Sequence, residues 1–442
     1  MRTSKTLHQD IWSFTWPMVL TNLSIPLLGL VDTAILGHLD DARYLGAVAI
    51  GGSVIGLFYW AFSFLRMGTT SLSAQAFGAG QQDNAINILL RAISIGLMIG
   101  LAITVLFPPF VPHMVNLVGY NPESMALASS YINIRLLSAP AALITYAIVG
   151  WFLGQQKPKV PLIILVGTNF TNIILDWLFI IVLELNSDGA AIASVIAEYI
   201  GLGLGIGCLL YFNPRIFSLW KEAGLSQLAA YQELINVNRH LFVRTVVLLL
   251  TFMFFTSQGA QQGDETLAAN AILMNLLLAV AFGLDGVAHA AEALTGKAVG
   301  GNKLDVFYAT CQGCCQWSLV IAGIITTLFL ISETQLQNLF TDIDAVKNII
   351  GEYYIWLVML PLVSVWSYLL DGIFVGAGKS KAMRDSMLLA SIFVYAPVWY
   401  FSRELGNHGL WLAFVAWNLA RSVSMGWLFF RFSRNREWIN AS

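Results

Sequence analysis

Charge is scarce in this sequence. Only 11% of its 442 residues are Asp, Glu, Lys or Arg, against roughly 25% in an ordinary soluble domain. A globule bathed in water does not fit that composition. Cysteine is nearly absent, being confined to Cys208, Cys311, Cys314 and Cys315. The last three have a spacing that suggests a metal cluster. They sit where an apolar helix begins, with no nearby His partner, and read instead as buried helix thiols. There is no P-loop, no HExxH and no GxSxG, and no extramembrane segment is large enough for a catalytic domain. An enzyme is therefore not expected, nor is a prosthetic cofactor or a resident metal. The run Gly201, Gly203, Gly205 and Gly207 is only superficially a phosphate loop. It lies in an apolar span, where small residues let helices approach, so no nucleotide or nucleic-acid partner is expected. A cleavable signal peptide is missing too. The apolar run from about Ile11 to Leu36 is too long for an h-region, and no small-residue cleavage site follows it.

What is abundant is apolar side chain, at 57% of residues. Apolar runs of about 20 residues recur throughout, the length that crosses a bilayer as a helix. A membrane β-barrel would show alternating segments of about ten residues instead. The reading is an all-α integral membrane protein with twelve transmembrane helices, near 11–37, 46–76, 85–110, 124–153, 158–184, 188–212, 235–258, 266–297, 304–331, 345–376, 380–402 and 408–431. The longest connection is polar and amphipathic. It divides the chain into an N-terminal six-helix lobe (1–213), a cytoplasmic linker (214–234) and a C-terminal six-helix lobe (235–442). Outside the spans, Lys and Arg gather on the side of both termini, with Arg43, Lys347 and Arg403 excepted. The positive-inside rule then places both termini in the cytoplasm and supports an even number of spans.

The lobes repeat one another. Tyr146, Gly150, Phe152, Gly154, Lys157 and Lys159 recur at a constant offset as Tyr368, Gly372, Phe374, Gly376, Lys379 and Lys381. Near the end, Gly189 meets Gly409 at an offset two residues shorter. Six spans per repeat keep the same orientation, so the repeats are parallel and the two bundles pseudo-symmetric. That is a pattern of transporters built around a central cavity.

The ionisable residues inside the spans point to function. A carboxylate in hydrocarbon costs roughly 2.5–3.5 kcal/mol on insertion scales and normally faces a bundle interior or a wet cavity. Asn169, Asn172 and Asp176 share one helix face in the fifth span. Asp32 in the first span and Asp176 in the fifth both fall toward the outer end of their helices. Burial and a like-charged neighbour each raise a carboxyl pKa, so the pair could hold and release a proton. Pro26, with Gly29 beside it, can kink the first span and couple such a proton to helix shape. The second lobe carries Arg244, Asp285, His289, Glu292, Asp371 and Arg421. Here two arginines can neutralise two acids, which reads as a structural ion-pair cluster. Arg135, in the fourth span, has no obvious partner nearby in sequence.

These features resemble the multidrug and toxic compound extrusion (MATE) family, in particular its DinF-like branch. The resemblance covers essentially the whole chain. It rests on the two parallel halves and on Val-Asp-Thr-Ala-Ile-Leu-Gly-His at 31–38, Asn-Ile-Ile-Leu-Asp at 172–176 and Gly-Ala-Ala-Ile-Ala-Ser at 189–194. Family members export amphiphilic, often cationic compounds against proton or sodium entry, rocking between outward-open and inward-open states. The resemblance implies that Asp32 carries the coupling proton, that Asn172 and Asp176 are the fifth-span polar pair, and that Ser194 stands where a Thr is usual. It also implies a bend of the first span at Pro26. The usual Leu-Arg-Gly-x-Gly-Asp-Thr loop signature is only echoed, by 152–157 and 374–379.

The expectation is a proton-coupled multidrug antiporter of the bacterial inner membrane, multi-pass and monomeric, working by alternating access among membrane lipids. One alternative is sodium coupling, since two carboxylates, an amide and a hydroxyl at Asp32, Asp176, Asn172 and Ser194 offer the oxygen ligands a hard cation prefers. Another is a flippase of lipid or lipid-linked sugar, against which the few intramembrane arginines argue.

Overall fold

The computed structural model describes residues 4–37, 41–118, 122–216 and 224–439. The elements are α1 (Ser4–Leu36), α2 (Ala42–Ala61), α3 (Phe64–Gly78), α4 (Gln82–Leu106), α5 (Val111–Val118), α6 (Pro122–Leu136), α7 (Ala139–Gly154), α8 (Lys159–Asp176), α9 (Asn186–Phe212), α10 (Gln232–Ala260), α11 (Asp264–Gly300), α12 (Leu304–Phe340), α13 (Asp344–Gly376), α14 (Ser380–Ala390), α15 (Ala396–Ser402) and α16 (Asn407–Arg434). Each predicted span falls on a helical stretch. Several spans are interrupted within their length. The second is α2 and α3, separated at Phe62 and Ser63. The fourth is α6 and α7, bent by 50°. The fifth passes from α8 into a π-helical segment, Trp177–Val182, and the eleventh joins α14 to α15 through another, Ser391–Tyr395. Among the described residues, eight helices are long and apolar enough to cross a membrane, or nine if the bent α6–α7 pair counts as one span.

Contacts sort the chain into two compact units. One is Leu20–Asn238; the other is Arg239–Ser442 together with Met1–Val19. The start of α1 is therefore packed on the second unit. Val19 and Thr15 crowd Gly286 of α11, and Ile11 crowds Gly313 of α12. Trp12 lies against Trp317 with ring centroids 5.0 Å apart, and the Trp317 indole donates to Nδ1 of His8 at 3.2 Å. The helix at the centre of this unit is α13, whose most apolar stretch is 72% buried, against 22% for α8 in the other unit. Large apolar side chains elsewhere, such as Phe393, Phe401 and Phe430, stand exposed, which lipid tolerates because its tails are as apolar as Leu.

The internal repeat reappears as a repeated packing solution. In the Leu20–Asn238 unit, Gly150 and Gly154 of α7 form a GxxxG face. A Cβ on Gly150 would collide with the carbonyl of Arg66, and one on Gly154 with Ser73 and the Ala74 amide. In the other unit Gly372 and Gly376 of α13 present the same face. Their counterparts there are the Ala288 carbonyl, and Glu292, Thr295 and the Gly296 amide. Side chains are excluded at these points because the backbones themselves touch. Both helices then end alike. The amide of Lys157 donates to the Phe152 carbonyl at 2.9 Å, and that of Lys379 to Phe374 at 2.8 Å. Gln156 (φ 62°) and Gly378 (φ 71°) supply the left-handed residue between, which makes both ends Schellman motifs. Each loop lysine lies over a ring in the last turn of another helix, Lys157 on Phe212 of α9 at 3.7 Å and Lys379 on Phe432 of α16 at 5.8 Å. The glycine run of α9 divides by face. Gly201 packs on Thr168 and Gly205 on Ile148 and Ile164, while Gly203 and Gly207 look onto open space. Among the described residues no cluster of His, Cys, Asp or Glu could hold a metal, and the four cysteines are free.

Candidate functional site

The polar face predicted on the fifth span is buried inside the Leu20–Asn238 unit. Asp176 is 0% and Asn172 1% exposed. The two are one turn apart on α8, so both project to the same side. Asn172 Nδ2 donates to Ser194 Oγ of α9 at 3.3 Å, joining the two helices at this level. One turn earlier on α8, Asn169 Nδ2 donates to the carbonyl of Ser24 on α1 at 3.4 Å. The helix changes character at Asp176. It is the last α-helical residue before the π-helical turn Trp177–Val182, a distortion that recurs at functional positions. A carboxylate, an amide oxygen and a hydroxyl are thus gathered where the backbone ladder is widened. Such a set can exchange a proton or coordinate a hard cation. Asp32 and Pro26 belong to α1, but their side chains lie outside the described residues. Gly29 is described, and a Cβ there would meet nothing within 4 Å.

A second polar group in this unit forms around Arg135, the span-four charge that the sequence left without a nearby partner. Arg135, near the end of α6, is close enough to act electrostatically on Glu198 of α9, Tyr59 of α2 and Tyr146 of α7. Its guanidinium sits 5.9 Å from the centre of the Tyr59 ring. At the bend between α6 and α7, hydroxyls from three other helices bond to successive carbonyls. Tyr59 donates to the Arg135 carbonyl at 3.1 Å, Thr104 of α4 to Leu136 at 2.8 Å, and Tyr199 of α9 to Leu137 at 3.1 Å. The Tyr59 and Ser138 hydroxyls also share a 2.8 Å hydrogen bond. Glu198 was open to detection, being an acid in the middle of an apolar span. Its nearness to Arg135 was not, because only the packing of α6 on α9 brings them together.

The charged residues of the other unit converge differently. The Nη2 atoms of Arg244 (α10) and Arg421 (α16) both reach the same oxygen of Asp371 (α13), the Arg421 contact at 3.0 Å. Arg421 also lies 4.9 Å above the Trp417 ring. Both arginines thus meet on one acid. Asp285 of α11 acts on Tyr368 beside them, and His289 Nδ1 is 3.5 Å from Glu292. A buried carboxylate gripped by two guanidiniums, one of them buried, is a fixed ion, costly to unpair.

Comparison with known proteins bears on both units. The family model MatE matches the chain twice, over residues 17–178 and 241–401, once per repeat. The DNA damage-inducible protein F of Escherichia coli is 36% identical over 98% of this chain and 94% of its own length. The multidrug export protein MepA of Staphylococcus aureus is 18% identical over 93% of this chain and 91% of its own. Among solved structures, the Vibrio cholerae MATE transporter VcmN in its bent form superposes with a TM-score of 0.87 at 21% identity, covering 100% of both chains. That likeness shows the twelve-helix fold.

Proposed function

The chain belongs to the MatE family of multi-pass membrane transporters, which are not enzymes, and from that premise we propose that it is a proton-coupled exporter of amphiphilic, drug-like cations. Its place is the bacterial inner membrane with both termini cytoplasmic, where it works by alternating access. The observation that carries this reading is the buried Asp176, one turn from an amide that is tied to Ser194. The bilayer disfavours a carboxylate there unless it has a use. In this reading Asp32 carries the proton, and Asp176, Asn172 and Ser194 form the polar shell that receives it. The name of the Staphylococcus relative supports drug export, and the Escherichia coli relative supports the DinF-like branch.

Coupling one proton to one substrate needs only a few kcal/mol, and one pKa unit is about 1.4 kcal/mol. The test is transport by the purified protein in proteoliposomes under independently imposed gradients. A proton gradient alone drives export in this reading, and Asp32→Asn abolishes it. Export that follows a sodium gradient after proton collapse selects the sodium-coupled reading, for which the oxygen donors are also suited. Lipid movement without drug movement selects a flippase. Full drug resistance in cells carrying Asp32→Asn at normal expression removes the proposed role of Asp32.

A further inference from the structure

Within the Leu20–Asn238 unit, Glu198 is an intramembrane acid that the proposed exchange leaves unused. It lies one turn from Ser194 on α9 (Asn186–Phe212), so the two share a helix face. Ser194 is already bonded to Asn172, which is one turn from Asp176. Arg135 of α6 lies near enough to act electrostatically on Glu198. The groups acting on this neighbourhood from the other packed helices are Tyr59 of α2, Tyr146 and Tyr131 of α7 and α6, and Arg66 of α3. Polar groups at one-turn spacing on α8 and α9, joined by the Asn172–Ser194 hydrogen bond, therefore lead from Asp176 to Glu198 and on toward Arg135. They end at the α6–α7 bend, whose carbonyls are held by hydroxyls that include the neighbour of Glu198, Tyr199.

We infer that Glu198 is a second proton-exchanging carboxyl of the Leu20–Asn238 unit, paired with Arg135, and that its charge is coupled to occupancy of the Asp176 site. This rests on the exporter reading for its purpose but not for its physics. A cation arriving at Asp176 removes a negative charge near Glu198 and favours its ionisation. Ionised Glu198 in turn strengthens the hold on Arg135, whose own carbonyl is part of the bend. Protonated Glu198 leaves Arg135 as the sole charge of the pair. The state of the exchange site is thereby passed to the helix break by electrostatics and one hydrogen-bonded helix contact. Glu198 acts here as a positioning residue.

Linkage makes the coupling reciprocal, and that supplies the test. In the full-length protein in proteoliposomes, Glu198→Gln removes a negative neighbour and exposes the charge of Arg135, so proton uptake at the exchange site moves to more acidic pH. The expected displacement of the transport pH profile is about one pH unit, the scale of coupled titrations. The double variant Glu198→Gln with Arg135→Gln removes the pair without net charge and returns the profile toward the parent. In the reciprocal arm, Asp176→Asn is followed by infrared titration of the remaining protonated carboxyls. Their titration moves to lower pH by a similar amount, whether or not this variant transports. An unchanged pH profile in Glu198→Gln overturns the inference. So does a loss of transport that the double variant fails to restore, or an infrared titration that ignores Asp176→Asn. If the parent protein exports nothing under any gradient, the exporter reading fails while the infrared arm still decides the coupling.

Discussion

The two units surround equivalent tyrosines with different chemistry. Tyr146 of α7 lies among Arg66, Arg135, Glu198 and Tyr59, and Tyr368 of α13 among Arg244, Arg421, Asp285 and Asp371. Backbone devices are shared without exception at the positions compared: the GxxxG face, the Schellman end, the loop lysine on a ring. The intramembrane charges are not shared. Val149 stands where the other repeat has Asp371, and the buried Asp176 lies beside an amide–hydroxyl pair, while Asp371 is clamped by two guanidiniums. Duplication preserved what close packing demands and left the polar interior free to diverge. One unit then holds a buried carboxylate beside an amide and a hydroxyl, and the other a carboxylate fixed by two guanidiniums.

The sharpest way to break that contrast is to remove each acid in turn. Asp371→Ala leaves the buried Arg421 and the part-buried Arg244 against one another without their acid, and loss of one partner from a buried pair costs about 3–5 kcal/mol. The expected result is a large fall in thermal midpoint in detergent and poor yield by fluorescence-detected size exclusion. Asp176→Asn keeps shape and hydrogen-bonding capacity, so its thermal midpoint stays close to the parent while gradient-driven export is lost. Equal destabilisation by the two changes would erase the distinction between an exchangeable and a fixed carboxylate.

A second pair of variants tests the shared part. Gly150→Ala and Gly372→Ala each push a methyl into a backbone carbonyl, that of Arg66 or of Ala288. Overpacking of this kind costs about 1–3 kcal/mol. The two should be destabilised alike, within the error of a thermal melt. A marked inequality would mean that the repeat is one of sequence and not of load.

How far the sequence foretold these elements depends on the range of the interactions involved. Spans follow from hydropathy along the chain, and the α8 face from the spacing of Asn172 and Asp176 on one helix. The repeat was readable because close contacts tolerate only glycine at Gly150, Gly154, Gly372 and Gly376. Ser194 was reached only through family resemblance, since nothing local marks one serine among many. The meeting of both arginines on Asp371, and of Arg135 with Glu198, depends on which helices pack together. The breaks in the second and fourth spans were also hidden. Hydropathy runs straight through Phe62–Ser63 and Leu137–Ser138, and the hydroxyls that bond the carbonyls of the α6–α7 bend come from α2, α4 and α9.

A smaller effect sharpens the comparison at the exchange site. Ser194→Ala removes the acceptor of the Asn172 amide, a neutral hydrogen bond worth about 1 kcal/mol. Apparent affinity for the coupling ion should fall severalfold, with Ser194→Thr close to the parent because the oxygen remains. The corresponding loss of a hydroxyl near Asp371, Ser367→Ala, should leave transport unchanged. Its hydroxyl is spent on the Ser364 carbonyl of its own helix.

The smallest expected effect lies in the loops, where the units are again alike. Burial pushes the ammonium groups of Lys157 and Lys379 down from the usual lysine range, although the Phe212 and Phe432 rings attract the charged form and offset part of that cost. A lysine whose folded pKa lies below its unfolded value binds fewer protons in the folded state, so stability rises with pH across that interval. The penalty is fully present below the folded pKa and vanishes above the unfolded one. Lys157→Gln and Lys379→Gln should each flatten a shallow alkaline rise in thermal midpoint, by similar amounts, and leave export at neutral pH untouched. A slope that disappears in only one of them would show that the loops, like the charges within the spans, have parted in their chemistry.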